Sequence, residues 1–217
     1  MHRSWKSGVV QTPGPRAFRD AAAVAERRSQ LHQPHVAALN GWVSSIRSRL
    51  GPRAIVPWFD PADGGVDARI LWLLEAPGPR ATEQRGSGII SCDNNDGAAE
   101  NTWRTRSEAG VSRTDVVHWN VIPYYIGNDT KIRAWRRDDI ASAGPMLVEL
   151  IDLLPQVRAV ILGGKAAQSG WLDHRPPDID VREFLCPHPS VTNVNTRPDV
   201  WPAVVAAWRA AAEWALT

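Results

Sequence analysis

Cysteine, lysine and long apolar runs are all scarce in this chain. The two cysteines, Cys92 and Cys186, lie 94 positions apart. They supply neither a disulfide framework nor, on their own, a four-ligand metal site, so a reduced cytoplasm is the expected setting. The apolar stretch Ile70–Leu74 runs for five residues between Arg69 and Glu75, against about 20 for a membrane span. The opening residues, Met1 to Gly8, have no apolar core of the kind a secretory leader carries. No internal repeat or low-complexity tract is present. Excess charge of one sign is missing too. The net charge is +2, so any surface for nucleic acid must be local.

What is present is an ordinary folded composition. The 217 residues are 43% hydrophobic and 22% charged, enough for one domain with a sizeable core. Two biases stand out. Eleven of the 16 aromatic residues are tryptophan, and 22 of the 25 basic residues are arginine. With alanine also abundant, the arginine excess reads as codon usage in a GC-rich genome.

Residues 1–14, punctuated by Gly8, Pro13 and Gly14, read as a flexible arm. Apolar positions at helical spacing predict helices over 15–32 and 34–50, the second closed by Gly51 and Pro52. These form an N-terminal helical extension, 15–52, on a globular domain spanning 53–217. That domain alternates. Strands are predicted over 68–74, 115–120, 157–162 and 181–185, and helices over 96–108, 138–154, 165–171 and 198–216. Short apolar strands between helices indicate an α/β fold, three layers α/β/α around a central four-stranded parallel sheet.

In such folds the chemistry gathers just beyond the carboxyl ends of the strands. Those positions read Glu75-Ala-Pro-Gly-Pro79, Trp119-Asn-Val-Ile-Pro-Tyr-Tyr125, Gly163-Gly-Lys165 and Cys186-Pro-His-Pro-Ser190. Polar side chains beside rigid Pro or Gly suit a small polar ligand held by a preorganised rim. Glu75, Asn120 and His188 bring a carboxylate, an amide and an imidazole. The amide can donate and accept at once, which matches the N–H and C=O edge of a pyrimidine. The imidazole can donate to a carbonyl oxygen that becomes anionic, and the carboxylate can orient water or stabilise a cationic sugar. Singly, each also fits a plain structural role, Glu75 as a loop cap, Asn120 at a strand end, His188 as a loop histidine.

At these residues the chain resembles the uracil-DNA glycosylase superfamily. Leu74-Glu-Ala-Pro-Gly78 is similar to the Gly-Glu-Ala-Pro-Gly first motif of its family 4, and Cys186-Pro-His-Pro-Ser190 to the His-Pro-Ser second motif. Residues 116–123 are similar to the strand whose terminal Asn reads the base, and Gly163 to Gln168 sit where relatives have a Gly-rich turn before a helix. The resemblance covers residues 55–217. It implies a monomeric, monofunctional enzyme of bacterial base excision repair, cytoplasmic and nucleoid-associated. Its partner would be uracil-containing DNA, single- or double-stranded, with no membrane, cofactor or metal involved. A flipped deoxyuridine would meet Asn120 through N3–H and O4, and His188 through O2. Glu75 would position water and offset charge on the sugar. Ala76, Pro77, Gly78, Ile89 and Ser190 are the further substrate contacts implied.

Several features depart from the family pattern. Leu74 stands where the first motif has Gly. Family 4 carries a four-cysteine iron–sulfur cluster that Cys92 and Cys186 cannot supply, so no cluster is expected. The aromatic ring that usually covers the base has no counterpart in 85–91, where Ile89 and Ile90 fall, and Trp58 or Phe59 are the candidate substitutes. One relative traps DNA covalently through a His after the Asn strand. Residues 124–137 contain none, so trapping is not expected. A glycosylase for hypoxanthine or xanthine, and a catalytically silent DNA- or base-binding relative, stay open beside uracil excision. A generic nucleotide-binding protein is disfavoured because no Gly-x-Gly-x-x-Gly follows the first strand.

Residues 191–197 are placed like the superfamily's intercalation loop. Val191 or Val194 would serve as the wedge, with Ser190, Thr192 and Arg197 on phosphates. Lys131, Arg133, Arg136 and Arg137 around Trp135 make a second candidate DNA surface, with a solvated helix start as the alternative. Trp42, Trp72, Trp201, Trp208 and Trp214 are expected in the core. Trp58, Trp103, Trp119 and Trp135 are expected nearer the ligand or DNA.

Overall fold

The computed structural model describes residues 14–127 and 132–217. Nearly all of the expected arm, and Lys131, lie outside the described residues. The chain forms α1 (Ala21–Ser29), α2 (Pro34–Leu50), β1 (Trp58–Phe59), β2 (Ile70–Leu74), β3 (Ile89–Ile90) and α3 (Gly97–Glu108). It continues through β4 (Val116–Asn120), α4 (Arg137–Asp152), β5 (Ala159–Gly163), α5 (Lys165–His174), β6 (Arg182–Cys186), α6 (Val191–Thr196) and α7 (Val200–Ala215).

The main sheet is four-stranded and parallel, in the order β4-β2-β5-β6. From β2 the chain steps to β4 on one side and then to β5 on the other. That reversal of direction is the switch point where a crevice opens at the carboxyl ends of the strands. Side chains alternate across the sheet. Leu71, Leu73, Val117, Trp119, Val160 and Leu162 join a cluster with α2, α4 and α5. Ile70, Trp72, Val116, Ala159 and Ile161 join a second one with α7. Coverage of both faces explains why these strands read as unbroken apolar runs. The architecture is therefore the three-layer α/β arrangement expected.

The α2 helix belongs to that covering layer. Its Leu39, Val43 and Ile46 are fully buried in the first cluster, each burial stabilising by about 1.5–3 kcal/mol. The helix expected over 15–32 is shorter, because Asp20 accepts from the Ala22 N–H at 2.9 Å and starts α1 at Ala21. Residues expected as a loop after Ser190 instead form α6, capped by the Ser190 hydroxyl, which accepts from the Asn193 N–H at 3.3 Å. The two-residue ladder of β1 with β3 was too short to leave an alternation in the sequence.

Trp72 and Trp208 are core, stacked at 4.5 Å between ring centroids. Trp214 is not. It is 53% exposed, because it falls off the inward stripe of Val204, Trp208, Ala211 and Ala215, and Arg182 lies over its ring at 4.6 Å. Trp201 is half-buried and donates to Glu108 at 2.8 Å. Among the described residues, no helix is long and apolar enough to cross a membrane.

Candidate functional site

A cleft of about 450 Å³ lies at the carboxyl ends of the strands, and Glu75, Ala76, Pro77, Gly78, Asn120, His188 and Ser190 all line it. The sheet explains one half of that convergence. Leu74 and Asn120 are register partners. The pairing runs past the strand ends, with the Val121 N–H donating to Leu74 O at 2.8 Å and the Ile122 N–H to Glu75 O at 2.9 Å.

The other half is built by glycine and amides. Gly164 has φ +91°, and a Cβ there would stand 2.8 Å from His188 Cβ. Only a residue without a side chain lets the β5 end approach the histidine so closely. The Gly164 N–H donates to Cys186 O at 2.9 Å, and Gln168 Nε2 donates to Leu162 O and Cys186 O at 3.2 and 3.1 Å. Asn193 Nδ2 donates to His188 O at 3.0 Å and Asn101 Nδ2 to Pro189 O at 2.9 Å. The His-Pro-Ser segment is thus held from α3, α5 and α6.

Burial sets the protonation states. It raises the Glu75 carboxyl above the ordinary range, and it lowers His188 to about 4, so the imidazole is neutral at neutral pH. Asn120 is 5% exposed, and its Oδ1 has no hydrogen-bond partner. Leaving a buried acceptor unpaired costs about 1–3 kcal/mol, which a bound N–H would recover. A side-chain amide, a neutral imidazole donor and a half-buried carboxylate therefore share one pocket. Burial pushes the Cys92 and Cys186 thiols up to about 12, so neither is a thiolate nucleophile. Among the described residues no group of three or more His, Cys, Asp or Glu has metal-holding geometry.

Other expected residues sit elsewhere. Ile89 is buried away from the cleft and Ile90 lines it, because consecutive strand residues point to opposite faces. Phe59 stacks on Trp119 at 3.8 Å, and Trp58 lies under Arg47 at 3.9 Å. Neither of the two is a lining residue, whereas Trp119 and Trp72 are. At Gly78 an added Cβ would meet no protein atom within 4 Å.

Among the expected DNA contacts, Val191 is 46% exposed at the start of α6, and Thr192 is exposed. Val194 is partly buried against the second cluster, which leaves Val191 the more exposed of the two, and helix α6 stands where a loop is expected. Arg197 pairs with Asp199 at 2.8 Å, and Arg133 with Asp139 at 2.6 Å. Arg136 and Arg137 are exposed where α4 begins.

Sequence reasoning missed His118, Trp72 and Asp96, which also line the cleft. The strand period held the signal for the first, since His118 precedes Asn120 by two residues and shares its face. Its Nδ1 lies 2.8 Å from Asp63. Asp63 belongs to a buried ionic cluster in which Arg113 bonds Asp60, Asp63 (2.8 Å) and Asp93 (2.6 Å), while Arg27 of α1 bonds Asp60 and Asp93. Asn101 and Asn193 left no local signal, because each acts on a backbone carbonyl of another segment.

No family model matches the chain, and no curated protein matches it. Solved structures do. One is a solution NMR structure of a Methanosarcina acetivorans protein named as a candidate uracil DNA glycosylase. It is 18% identical, with a TM-score of 0.45, over 67% of this chain and 91% of that one.

Proposed function

We propose that this chain is a DNA glycosylase that hydrolyses the N-glycosidic bond of deoxyuridine and leaves an abasic site, a step of base excision repair. The observation that carries the reading is the convergence of Glu75, Asn120 and His188 on one cleft, with Asn120 Oδ1 buried and unpartnered. The base would enter flipped out of the DNA, at a cost of a few kcal/mol that is smallest for a mismatched or single-stranded nucleotide.

Asn120 Oδ1 accepts uracil N3–H while Nδ2 donates to O4. Cytosine, with donor and acceptor exchanged, is refused. His188, neutral before reaction, donates to O2 as negative charge gathers there, without having to shed a proton of its own. Glu75 accepts a proton from the attacking water and offsets positive charge on the sugar. Excision from uracil-containing single-stranded and duplex oligonucleotides, wild type beside Glu75→Ala and His188→Ala, tests the reading. Wild-type inactivity in every uracil context would falsify it.

A second reading, excision of hypoxanthine or xanthine, is favoured by one observation: Ile90 puts an aliphatic group in the cleft where the base would lie. A lesion panel in one sequence context separates the two, and strict uracil preference ends the second.

A further inference from the structure

Six buried side-chain nitrogens and oxygens among the described residues have no hydrogen-bond partner, and three of them belong to residues lining the cleft. They are Trp72 Nε1, His118 Nε2 and Asn120 Oδ1. Trp72 is the register partner of His118 across β2 and β4, and Asn120 follows His118 by two residues. Neighbouring strands lie about 4.8 Å apart and alternate residues about 6.7 Å apart, so the three side chains rise from one small patch of sheet.

The polarity of each atom is defined. An indole N–H only donates, and an amide oxygen only accepts. Burial alone would raise the Asp63 carboxyl, but its contacts with His118 and Arg113 outweigh it and hold it at about 2. Asp63 is thus a carboxylate and an acceptor, so His118 Nδ1 carries the hydrogen between them, and in that tautomer Nε2 presents a lone pair. One donor and two acceptors match a molecule that accepts once and donates twice.

We propose that the floor of the cleft holds one ordered water, accepting from Trp72 Nε1–H and donating to His118 Nε2 and Asn120 Oδ1, and that Trp72, His118 and Asp63 thereby position the Asn120 amide. Buried waters make about three hydrogen bonds to groups that otherwise lack partners. A water hydrogen on one lone pair of Oδ1 keeps that atom as the accepting end and leaves its second lone pair for the base. Turning the amide over forfeits this bond and sets Nδ2 against the water. The positioning role rests on the glycosylase reading, where this orientation selects uracil over cytosine; the water site does not.

Water-selective NOE spectroscopy on the full chain labelled with nitrogen-15 tests both parts. A long-lived water gives a cross-peak at the Trp72 indole N–H, and His118→Phe abolishes it. The Asn120 side-chain amide resonances move in His118→Phe and in Trp72→Phe, which keeps a ring in place and stands in if the first variant does not fold. An indole without a long-lived water neighbour overturns the site, and so does a cross-peak that persists in His118→Phe. Asn120 resonances unchanged in both variants overturn the positioning role. In excision assays, Trp72→Phe lowers the uracil-over-cytosine preference about tenfold, and an unchanged preference counts against positioning. A wild type that excises neither base sinks the glycosylase reading alone, because the spectroscopic results stand without it.

Discussion

Ile122 donates its backbone N–H to the carbonyl oxygen of Glu75 at 2.9 Å, two residues beyond the end of β4. This bond extends the β2–β4 ladder into the loops, so the carboxylate and the amide of Asn120 are carried on one continuous piece of paired backbone. Preorganisation of that kind is what a reaction without large rearrangement requires. It also means that substitutions at Glu75 and Asn120 can be read as chemistry, since their backbones are anchored independently of the side chains.

Glu75→Gln removes the proposed proton acceptor and keeps the shape. Excision of uracil falls about 10²- to 10⁴-fold, the usual contribution of a general base, while affinity for a uracil oligonucleotide persists. Single-turnover kinetics beside a binding titration measure the two. Equal losses in both would mean that Glu75 holds the ligand and does not activate water.

Asn120→Asp keeps the volume and turns the Nδ2 donor into an acceptor, which in the proposed pose faces O4. Uracil-DNA binding weakens about tenfold or more, as expected for a lost hydrogen bond with an unpaired partner left behind. Fluorescence anisotropy with a uracil and a thymine oligonucleotide gives the difference. No change in the uracil curve would place the base elsewhere in the cleft.

Gly164→Ala sets a Cβ 2.8 Å from His188 Cβ at a φ of +91°. The backbone strain costs about 1–3 kcal/mol, and the histidine is pushed off its position. Thermal unfolding should shift down and excision should fall together. A variant with wild-type melting and activity would show that the close approach is not needed.

The sheet and its helices were legible because both faces are covered, which makes each strand an apolar run flanked by turn residues. Glu75, Asn120 and His188 were legible because strand ends are where such folds place polar groups. What escaped has a physical cause in each case. Helix α6 is six residues long and begins on a Ser cap, too short for a periodic pattern. Ile89 is the contact the resemblance implies, yet Ile90 lines the cleft, because nothing in two equal residues says which one faces it. The Arg27–Asp60–Asp63–Asp93–Arg113 cluster joins residues up to 86 positions apart, so no local spacing announces it. Trp214 reads as core by residue type, and only the phase of α7 shows that it faces out.

Arg113→Met leaves three buried carboxylates with one guanidinium between them. Breaking a buried pair in this way costs about 3–5 kcal/mol, far more than removing the exposed Arg197–Asp199 pair. Urea unfolding of Arg113→Met beside Arg197→Ala makes the comparison. Similar midpoints would mean that the cluster is solvated and not structural.

The pH dependence separates two buried groups, His188 and Asp63. His188 is lowered from an ordinary 6.5 to about 4 by burial. Between those values the unfolded chain binds the extra proton and the folded one does not, so stability drops as pH falls from 6.5 to 4 and this group contributes nothing above 6.5. Asp63 acts lower. With an ordinary 3.8 held to about 2, its contribution is complete above 3.8 and is lost as pH falls toward 2. Urea midpoints measured from pH 7 to 3 should therefore show a slope beginning near 6.5 that His188→Gln flattens. Asp63→Asn should leave that upper slope in place. Activity follows a different group. The raised Glu75 carboxyl gives an acid limb displaced above the ordinary glutamate range, because in the proposed mechanism the ionised form accepts the proton. A limb that survives Glu75→Gln at residual rates would assign it to another residue and remove the carboxylate from the water-activating role.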